Sequence, residues 1–374
     1  MTFKGEDNMA YKRWDKNKIR QQVKYLKSRY KHTKDVRFLI DAQHLETLLT
    51  IPSNLFEVFS IPTTFKDGLL EDFKALELYY DFLDDIKEFS ANNADKFKDL
   101  KPFEVDHIAN LTPSLLFSFL KDFFYDFDKE FGEIYESIHK ERQHNLMFSE
   151  DRSISYYVPA LEYSYINITK NDTVDDFLNA VHEYTHAIVD RLYFRLSEEE
   201  YPFTELVSIF MEMIAADYIK EAYLGMDEDI NTSQLSGAKK ITVYAENISI
   251  QHNYFLAKEE TNTRKEFVQD ITNMSGKTNS YIKRLLSKTA MEKLTYTIPY
   301  LTAIELYYLY KSDKERCVEL IKYLIYVSYR ENYNVDLVDN GIILNTHSTE
   351  WIDTLIKRKN DYDQIRDEDN KKRR

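Results

Sequence analysis

Apolar residues recur every three or four positions over long windows of the chain, a spacing that predicts helices burying one face. One window extends from Leu69 to Ile86 and another from Leu115 to Phe123. Only 7 glycines and 7 prolines occur among the 374 residues, which leaves few turns for a sandwich or a barrel. The pattern therefore predicts a mainly α-helical fold whose apolar stripes form the core.

Residues 163–169, YSYINIT, follow a different pattern. Aromatic and β-branched side chains alternate with smaller polar ones, and the turn-forming Lys170, Asn171 and Asp172 follow. Alternation of this kind predicts a short β-strand, so a small β element is expected within the helical fold.

A helix is predicted directly after this strand, because Thr173 and Asp176 form a capping-box-like pair before a run of apolar positions. His182 and His186 lie four residues apart in its interior, within the sequence HEYTH. Both imidazoles then project from one face of the helix and can reach one tetrahedral zinc ion. Glu183 lies beside such an ion, where a general base can take a proton from zinc-activated water.

A catalytic zinc also needs a third protein ligand, and the segment after Pro202 offers one. Residues 204–218 have the pattern of a second amphipathic helix, which begins close to Glu205. Glu205 lies nineteen positions after His186, which is enough for the chain to reverse and return past the metal. Glu212 lies two turns further along the same face and can accept a hydrogen bond from a ligand imidazole. The sequence thus predicts one Zn²⁺ per chain.

Polar breaks divide the chain into three predicted parts. A break near residues 100–104 suggests an N-terminal helical region over residues 1–110 and a catalytic body over residues 111–358. Residues 359–374 lack an apolar stripe, so a charged tail is expected there, frayed or disordered.

Composition narrows the class of protein. A net charge of −14 argues against binding to nucleic acid or to anionic membranes. There is no run of eighteen apolar residues and no secretory signal, so a soluble cytoplasmic protein is expected. Cys317 is the single cysteine, which excludes an internal disulfide and a cysteine-based zinc site. The sequence leaves the oligomeric state open.

Residues 163–188, followed by FTELVSIFMEM at 203–213, resemble the catalytic centre of the oligoendopeptidase F and thimet oligopeptidase family of zinc metallopeptidases. Glu205, Ser208 and Glu212 match the family pattern Glu-x-x-Ser-x-x-x-Glu. The resemblance implies a helical zincin-type metallopeptidase of the gluzincin group. It also implies that His182, His186 and Glu205 are the zinc ligands, Glu183 the base and Glu212 a supporting residue. This chain departs from the family in having Thr185 in place of a glycine and a shorter interval before Glu205.

The segment YTIPYLTAIEL, residues 296–306, is similar to the tyrosine-rich segment of the same family. The resemblance implies that Tyr296 and Tyr300 donate hydrogen bonds to the oxyanion of the reaction. Packing between helices is the alternative role for two tyrosines spaced by four. His347, in a late turn, is a further candidate for the oxyanion contact.

Together these features predict a zinc metalloendopeptidase that hydrolyses oligopeptides, with the strand at 163–169 pairing its edge with the extended substrate. A regulatory or defence-related zinc protease that cuts one particular protein is an alternative. A further alternative is a non-catalytic helical interaction protein with a degenerate HExxH motif.

Overall fold

A computed structural model describes most of the chain. The described residues are 16–34, 65–98, 111–141, 144–147, 153–158, 163–169, 173–192, 205–222, 226–257, 264–278, 280–282, 288–327 and 337–373, with single positions at 38, 42, 46 and 100.

Twelve long helices and three short strands follow one another in these ranges. The helices before the strands are α1 (Lys16–Thr33), α2 (Phe65–Leu78), α3 (Leu83–Asn93), α4 (Pro113–Phe127) and α5 (Lys129–Lys140). The strands are β1 (His144–Met147), β2 (Ile154–Val158) and β3 (Tyr163–Thr169). The helices after the strands are α6 (Asp175–Leu192), α7 (Leu206–Ala222), α8 (Asp227–Ala257), α9 (Arg264–Ser275), α10 (Ala290–Ser312), α11 (Lys314–Val327) and α12 (Ser348–Arg373). The predicted fold class, mainly α with a small β element, is confirmed.

The two apolar windows behave differently. The first spans the end of α2, a 3₁₀ turn at Tyr80–Phe82 and the start of α3. Leu76 and Ile86 are buried, whereas Leu78 and Tyr80 at the break are exposed. The second window lies within α4, which Pro113 begins and Thr112 caps by accepting a hydrogen bond from Leu115 N at 3.3 Å.

The three strands form one sheet in the order β1–β3–β2, and β1 pairs in parallel with β3, His144 opposite Ile166. The strand predicted at 163–169 is therefore confirmed with its bounds. Its predicted role at a sheet edge is wrong, because β3 has a neighbour on each side. A central strand needs apolar side chains on its packed face, and Ile166 and Ile168 are fully buried.

Helix α6 packs in the core between the sheet and its neighbouring helices. The Ser164 hydroxyl of β3 donates to Asp190 at 2.6 Å, which fixes the strand on the helix. On another side the ring of Tyr184 packs 4.9 Å from that of Tyr135 in α5. Burial of both rings makes α6 a rigid support for the residues it carries.

Helix α7 is buried on almost all sides, and every residue from Leu206 to Met211 is buried. Its predicted amphipathic character is therefore wrong. A helix that is apolar all round is covered all round, and its few polar residues then face polar partners.

The chain forms two compact units. One comprises residues 1–83, 158–161 and 247–293, and part of its core is built from Tyr254, Phe267, Ile271 and Ile282. The other comprises residues 84–157, 162–246 and 294–374 and contains every residue predicted for the site. The boundary predicted at residue 110 lies outside the described residues, and the division stays a prediction.

The C-terminal residues, expected to be frayed, continue α12 to Arg373. Lys359 is only 4% exposed, and Arg366 forms an ion pair with Glu228 of α8. The side-chain amide of Asn231 also donates to the Leu355 carbonyl at 3.1 Å. Such polar contacts hold a segment that has no continuous apolar stripe. Among the described residues, no helix combines the length and the hydrophobicity needed to cross a membrane.

Candidate metal centre and active site

Helix α6 carries the HEYTH sequence in its interior. Asp176 N donates to Thr173 O at 3.1 Å and Phe177 N to Val174 O at 3.0 Å, so the helix begins where the capping pair predicts. Two turns later, the Nε2 atoms of His182 and His186 lie 3.0 Å apart. The helical period thus brings both imidazoles to one point.

Thr185, which replaces the glycine of the resembled family, is fully buried between the two histidines. Its hydroxyl donates to the Val181 carbonyl one turn earlier at 2.7 Å. The side chain therefore satisfies its own polar atom within the helix and leaves the histidines in place.

Glu205 lies directly before α7, and its carbonyl accepts the hydrogen bond of Ile209 N at 2.9 Å. Its Oε2 atom is 3.2 Å from His182 Nε2 and 3.7 Å from His186 Nε2. Among the described residues, His182, His186 and Glu205 form the one group of three side chains whose ligand atoms converge within 4.8 Å.

This donor set fits a zinc ion. Zinc bound tetrahedrally by imidazole nitrogen and carboxylate oxygen holds neighbouring ligand atoms about 3.3 Å apart, given bonds of about 2.0–2.1 Å. The three observed separations, 3.0, 3.2 and 3.7 Å, bracket that value. Moreover, Glu205 Oε2 is buried and no hydrogen bond satisfies it in the described part of the chain. A buried carboxylate oxygen of this kind calls for a cation or a donor.

Glu212 lies on the opposite side of the His182 ring, where its carboxylate contacts Nδ1. A proton on Nδ1 leaves a lone pair on Nε2, which is the tautomer that binds a metal. Ser208, one turn before Glu212, donates to the His182 carbonyl at 3.2 Å. The Glu-x-x-Ser-x-x-x-Glu pattern of α7 thus contacts His182 at three points.

The charged groups of this cluster change one another's pKa. Burial lowers the pKa of His182, but the nearby carboxylates of Glu212 and Glu205 outweigh burial and raise it well above its usual range. Burial likewise raises the pKa of Glu205, and the two imidazoles outweigh it and hold that pKa well below its usual range. Glu205 is therefore an anion at neutral pH, as a zinc ligand must be.

Glu183 is 9% exposed and borders the cavity beside His182. Burial raises its pKa, which His182 and His186 partly oppose, and the backbone N–H of Ser155 in β2 donates to the carboxylate. Burial strengthens a carboxylate as a proton acceptor, while the Ser155 N–H fixes its position.

A cavity of about 450 Å³ opens beside these groups. Tyr296 and Tyr300 of α10 both line it, together with His182, Glu183 and Glu212. The Tyr300 hydroxyl accepts a hydrogen bond from Trp351 Nε1 at 3.2 Å, and burial raises its pKa well above the usual range. Both tyrosines that the sequence offers as oxyanion donors therefore line the same cavity as His182.

His347 lies elsewhere in the same unit. Its Nδ1 is 2.6 Å from Glu305 Oε2, its ring stacks on Tyr308 with centroids 4.2 Å apart, and it is not among the residues that line the cavity. The structure thus does not bring this oxyanion candidate to the site.

Other residues at the site were missed by sequence analysis. Ser155, Trp351 and the α8 residues Gln234 and Lys240 belong to no motif. Only α8 carried a sequence pattern that could have revealed its residues. Ser233, Gly237 and Lys240 recur there at helical spacing within a 31-residue helix. Trp351 follows Tyr300 by 51 residues, an interval that carries no periodic signal.

No protein-family profile and no curated protein sequence matches the chain. Solved structures do match. They include a candidate oligoendopeptidase F from Bacillus anthracis (TM-score 0.51, 12% identity, 90% of this chain and 64% of that one). They also include PZ peptidase A with an inhibitor (TM-score 0.52, 10% identity, 93% and 69%) and a candidate peptidase from Chlamydophila abortus (TM-score 0.53, 14% identity, 90% and 62%).

The fold is therefore that of the helical peptidases of the oligoendopeptidase F type. The chain spans about two thirds of the length of these structures, between 62% and 69% for the three described.

Proposed function

We propose that this protein is a zinc-dependent metallopeptidase that hydrolyses peptide bonds in oligopeptides. The observation that carries the proposal is the convergence of two imidazoles and one carboxylate within 4.8 Å, next to the buried Glu183 and a cavity. The peptidase names of the structures that have the same fold support it.

His182, His186 and Glu205 would hold the zinc ion, one per chain. When bound, zinc supplies Lewis acidity toward a carbonyl oxygen and toward water. Glu183 accepts the proton of the attacking water and returns it to the leaving amine. Its position one residue after His182 suits this role, because the carboxylate lies beside the ligand atoms without joining them.

Glu212 and Ser208 orient the first histidine. Glu212 holds the proton of His182 on Nδ1 and Ser208 binds its backbone carbonyl, so rotation of the ring is restrained. Mutations of such supporting residues weaken a site without removing a ligand.

Tyr300 and Tyr296 are the proposed donors to the oxyanion. Because the Tyr300 oxygen accepts from Trp351, its own proton remains available to a charge that develops in the cavity. The high pKa of Tyr300 keeps this proton in place at neutral pH.

Strand β2 takes over the role first expected of β3. It lies at an edge of the sheet, and Ser155 within it contacts Glu183. An extended peptide laid along this edge would pass the proton acceptor, with pairing that depends on the main chain and not on sequence.

Metal content and digestion of a random peptide library, measured on one sample, test the proposal. We expect one zinc per chain and cleavage at many peptide sequences. Cleavage confined to a single folded protein, in a parallel panel, would favour the regulatory protease. A protein without bound zinc and without turnover would favour the interaction protein.

A further inference from the structure

Helix α8 forms a second wall of the cavity, and its chemistry differs from that of the metal centre. Residues 233, 234, 237, 240 and 241 line the cavity and lie on one face of the helix. None belongs to the motifs on α6, α7 or α10, so the proposed chemistry leaves this wall without a role.

Gln234 lines the cavity, and both polar atoms of its side chain are unsatisfied. Both Oε1 and Nε2 are buried, and neither has a hydrogen-bond partner within the described ranges. Buried amide groups in native proteins are nearly always paired. A primary amide offers one acceptor and two donors, which complement the N–H and C=O groups of a peptide. These atoms are covered in the structure, so a peptide in the cavity supplies the missing partner when the Gln234 side chain turns toward it.

Among the described residues that line the cavity, Lys240 is the one lysine or arginine. Its Nζ lies over the rings of Tyr296 and Tyr244, 5.1 and 5.7 Å from their centroids. No carboxylate of the described residues forms a salt bridge with it. The aromatic faces hold the ammonium group in place without neutralising it.

Gly237 lies between these two side chains along the helix. Glycine is the least favourable residue in a helix interior after proline, and here its φ is not positive. A Cβ atom added at this position would meet nothing within 4 Å, so close packing does not require the glycine. Its effect is to leave open space in the cavity wall between Gln234 and Lys240.

We propose that this face of α8 is a substrate subsite that accepts a peptide bearing a carboxylate. Lys240 pairs with the carboxylate, and Gln234 forms hydrogen bonds with a neighbouring peptide group. Gly237, which has no side chain, leaves space for the peptide between them. The inference rests on the proposed peptidase function, since Glu183 borders the same cavity. Two sources supply the carboxylate, namely an aspartate or glutamate side chain and the C-terminus of a short peptide.

Turnover of four matched quenched-fluorescent peptides tests the subsite and its two sources. The peptides carry Glu or Gln near the scissile bond and end in a free acid or an amide. For the wild-type protein we expect kcat/KM about fivefold higher for the preferred carboxylate, the size of one partly exposed ion pair. The comparison of Glu with Gln reports binding of a side-chain carboxylate, and the comparison of free acid with amide reports binding of the C-terminal carboxylate.

Substitutions at position 240 should change this preference. Lys240→Met should remove it, and Lys240→Glu should reverse it in favour of a peptide with Lys at the same position. Lys239→Met is the matched control, because Lys239 is exposed, carries the same charge and does not line the cavity. It should retain the wild-type preference.

Gln234→Leu separates a binding role from a structural one. Loss of two unpaired buried atoms should leave Tm unchanged or higher, while peptide affinity falls. Affinity is measured by calorimetry in a Glu183→Gln background, where no substrate is consumed. A lower Tm with unchanged affinity would overturn the role of Gln234.

The outcomes distinguish the two proposals. Turnover with equal kcat/KM for all four peptides would overturn the subsite and leave the peptidase function standing. Selective binding of the carboxylate peptide, abolished by Lys240→Met but without any turnover, would support the subsite and contradict hydrolysis. Neither binding nor turnover would contradict both.

Discussion

Two histidines of the same structural unit each face a glutamate from a neighbouring helix, yet their surroundings differ. The Nδ1 atom of His182 contacts Glu212, and that of His347 lies 2.6 Å from Glu305. Around His182 a second imidazole and a second carboxylate converge. The ring of His347 instead stacks on that of Tyr308.

The difference lies in which polar atoms are satisfied. Both oxygens of Glu305 accept hydrogen bonds from His347, one from Nδ1 and one from the backbone N at 2.9 Å, just before α12 begins. Glu205 Oε2, in contrast, is buried without a hydrogen-bond partner among the described residues. A pair whose polar atoms satisfy one another stabilises the fold, whereas a buried set that lacks one partner points to a ligand.

The largest expected effect is on hydrolysis. Glu183→Gln should lower kcat for peptide cleavage by about 10²–10⁴-fold, the usual contribution of a general base. Zinc content, measured by plasma mass spectrometry, should remain at one per chain. Glu305→Gln is the matched control and should change kcat little. Full turnover in Glu183→Gln would assign the base to another residue.

Removal of the metal should lower the thermal stability through the cluster around His182 and not through the pair formed by Glu305 and His347. Zinc present at a hundred to a thousand times its Kd stabilises the folded state by about 3–4 kcal/mol, so a chelator should lower Tm and added zinc should restore it. Glu205→Ala should lose this zinc-dependent shift, and Glu305→Gln should retain it. Differential scanning fluorimetry with and without chelator measures both. An equal shift in wild type and Glu205→Ala would remove Glu205 from the ligand set.

A smaller effect is expected from the carboxylate behind the first histidine. Glu212→Gln should weaken zinc binding about 10–100-fold, because a neutral amide orients the His182 tautomer less strongly than a carboxylate does. Competition with a zinc-binding dye gives the affinity. An affinity equal to that of the wild type would show that Glu212 does not act through His182.

The smallest effect concerns how the free energy of unfolding depends on pH through the pair formed by Glu305 and His347. Burial raises the pKa of Glu305 above its ordinary value of 4.5, against the opposing hydrogen bonds from His347. At a pH between the ordinary pKa and the raised pKa of Glu305, the folded state binds more protons than the unfolded state. This residue therefore makes the free energy of unfolding fall as pH rises through that window. Urea denaturation over a pH series should show a shallower decline in Glu305→Gln. Equal slopes in the two proteins would contradict this assignment.

Much of the candidate metal centre follows from local sequence. The helix start after Thr173, the spacing of His182 and His186, and the helix after Glu205 are all periodic or local signals, and the structure has each of them. The same reasoning misjudged α7, because an apolar stripe does not reveal how many sides of a helix are covered. It also placed β3 at an edge, since alternation predicts a strand but not its neighbours.

The sequence by itself determined the mainly helical class of the fold, the strand before α6 and the placing of two imidazoles on one helix face, because these depend on side chains a few residues apart. Only the tertiary structure decided that Glu205 reaches them, that Trp351 meets Tyr300 and that Gln234 and Lys240 face the same cavity. It also decided that the charged C-terminal residues stay helical, held by partners such as Glu228 that lie 138 residues away. The spacing of residues along a chain carries the period of a helix, but the meeting of distant helices depends on how all their buried surfaces pack together.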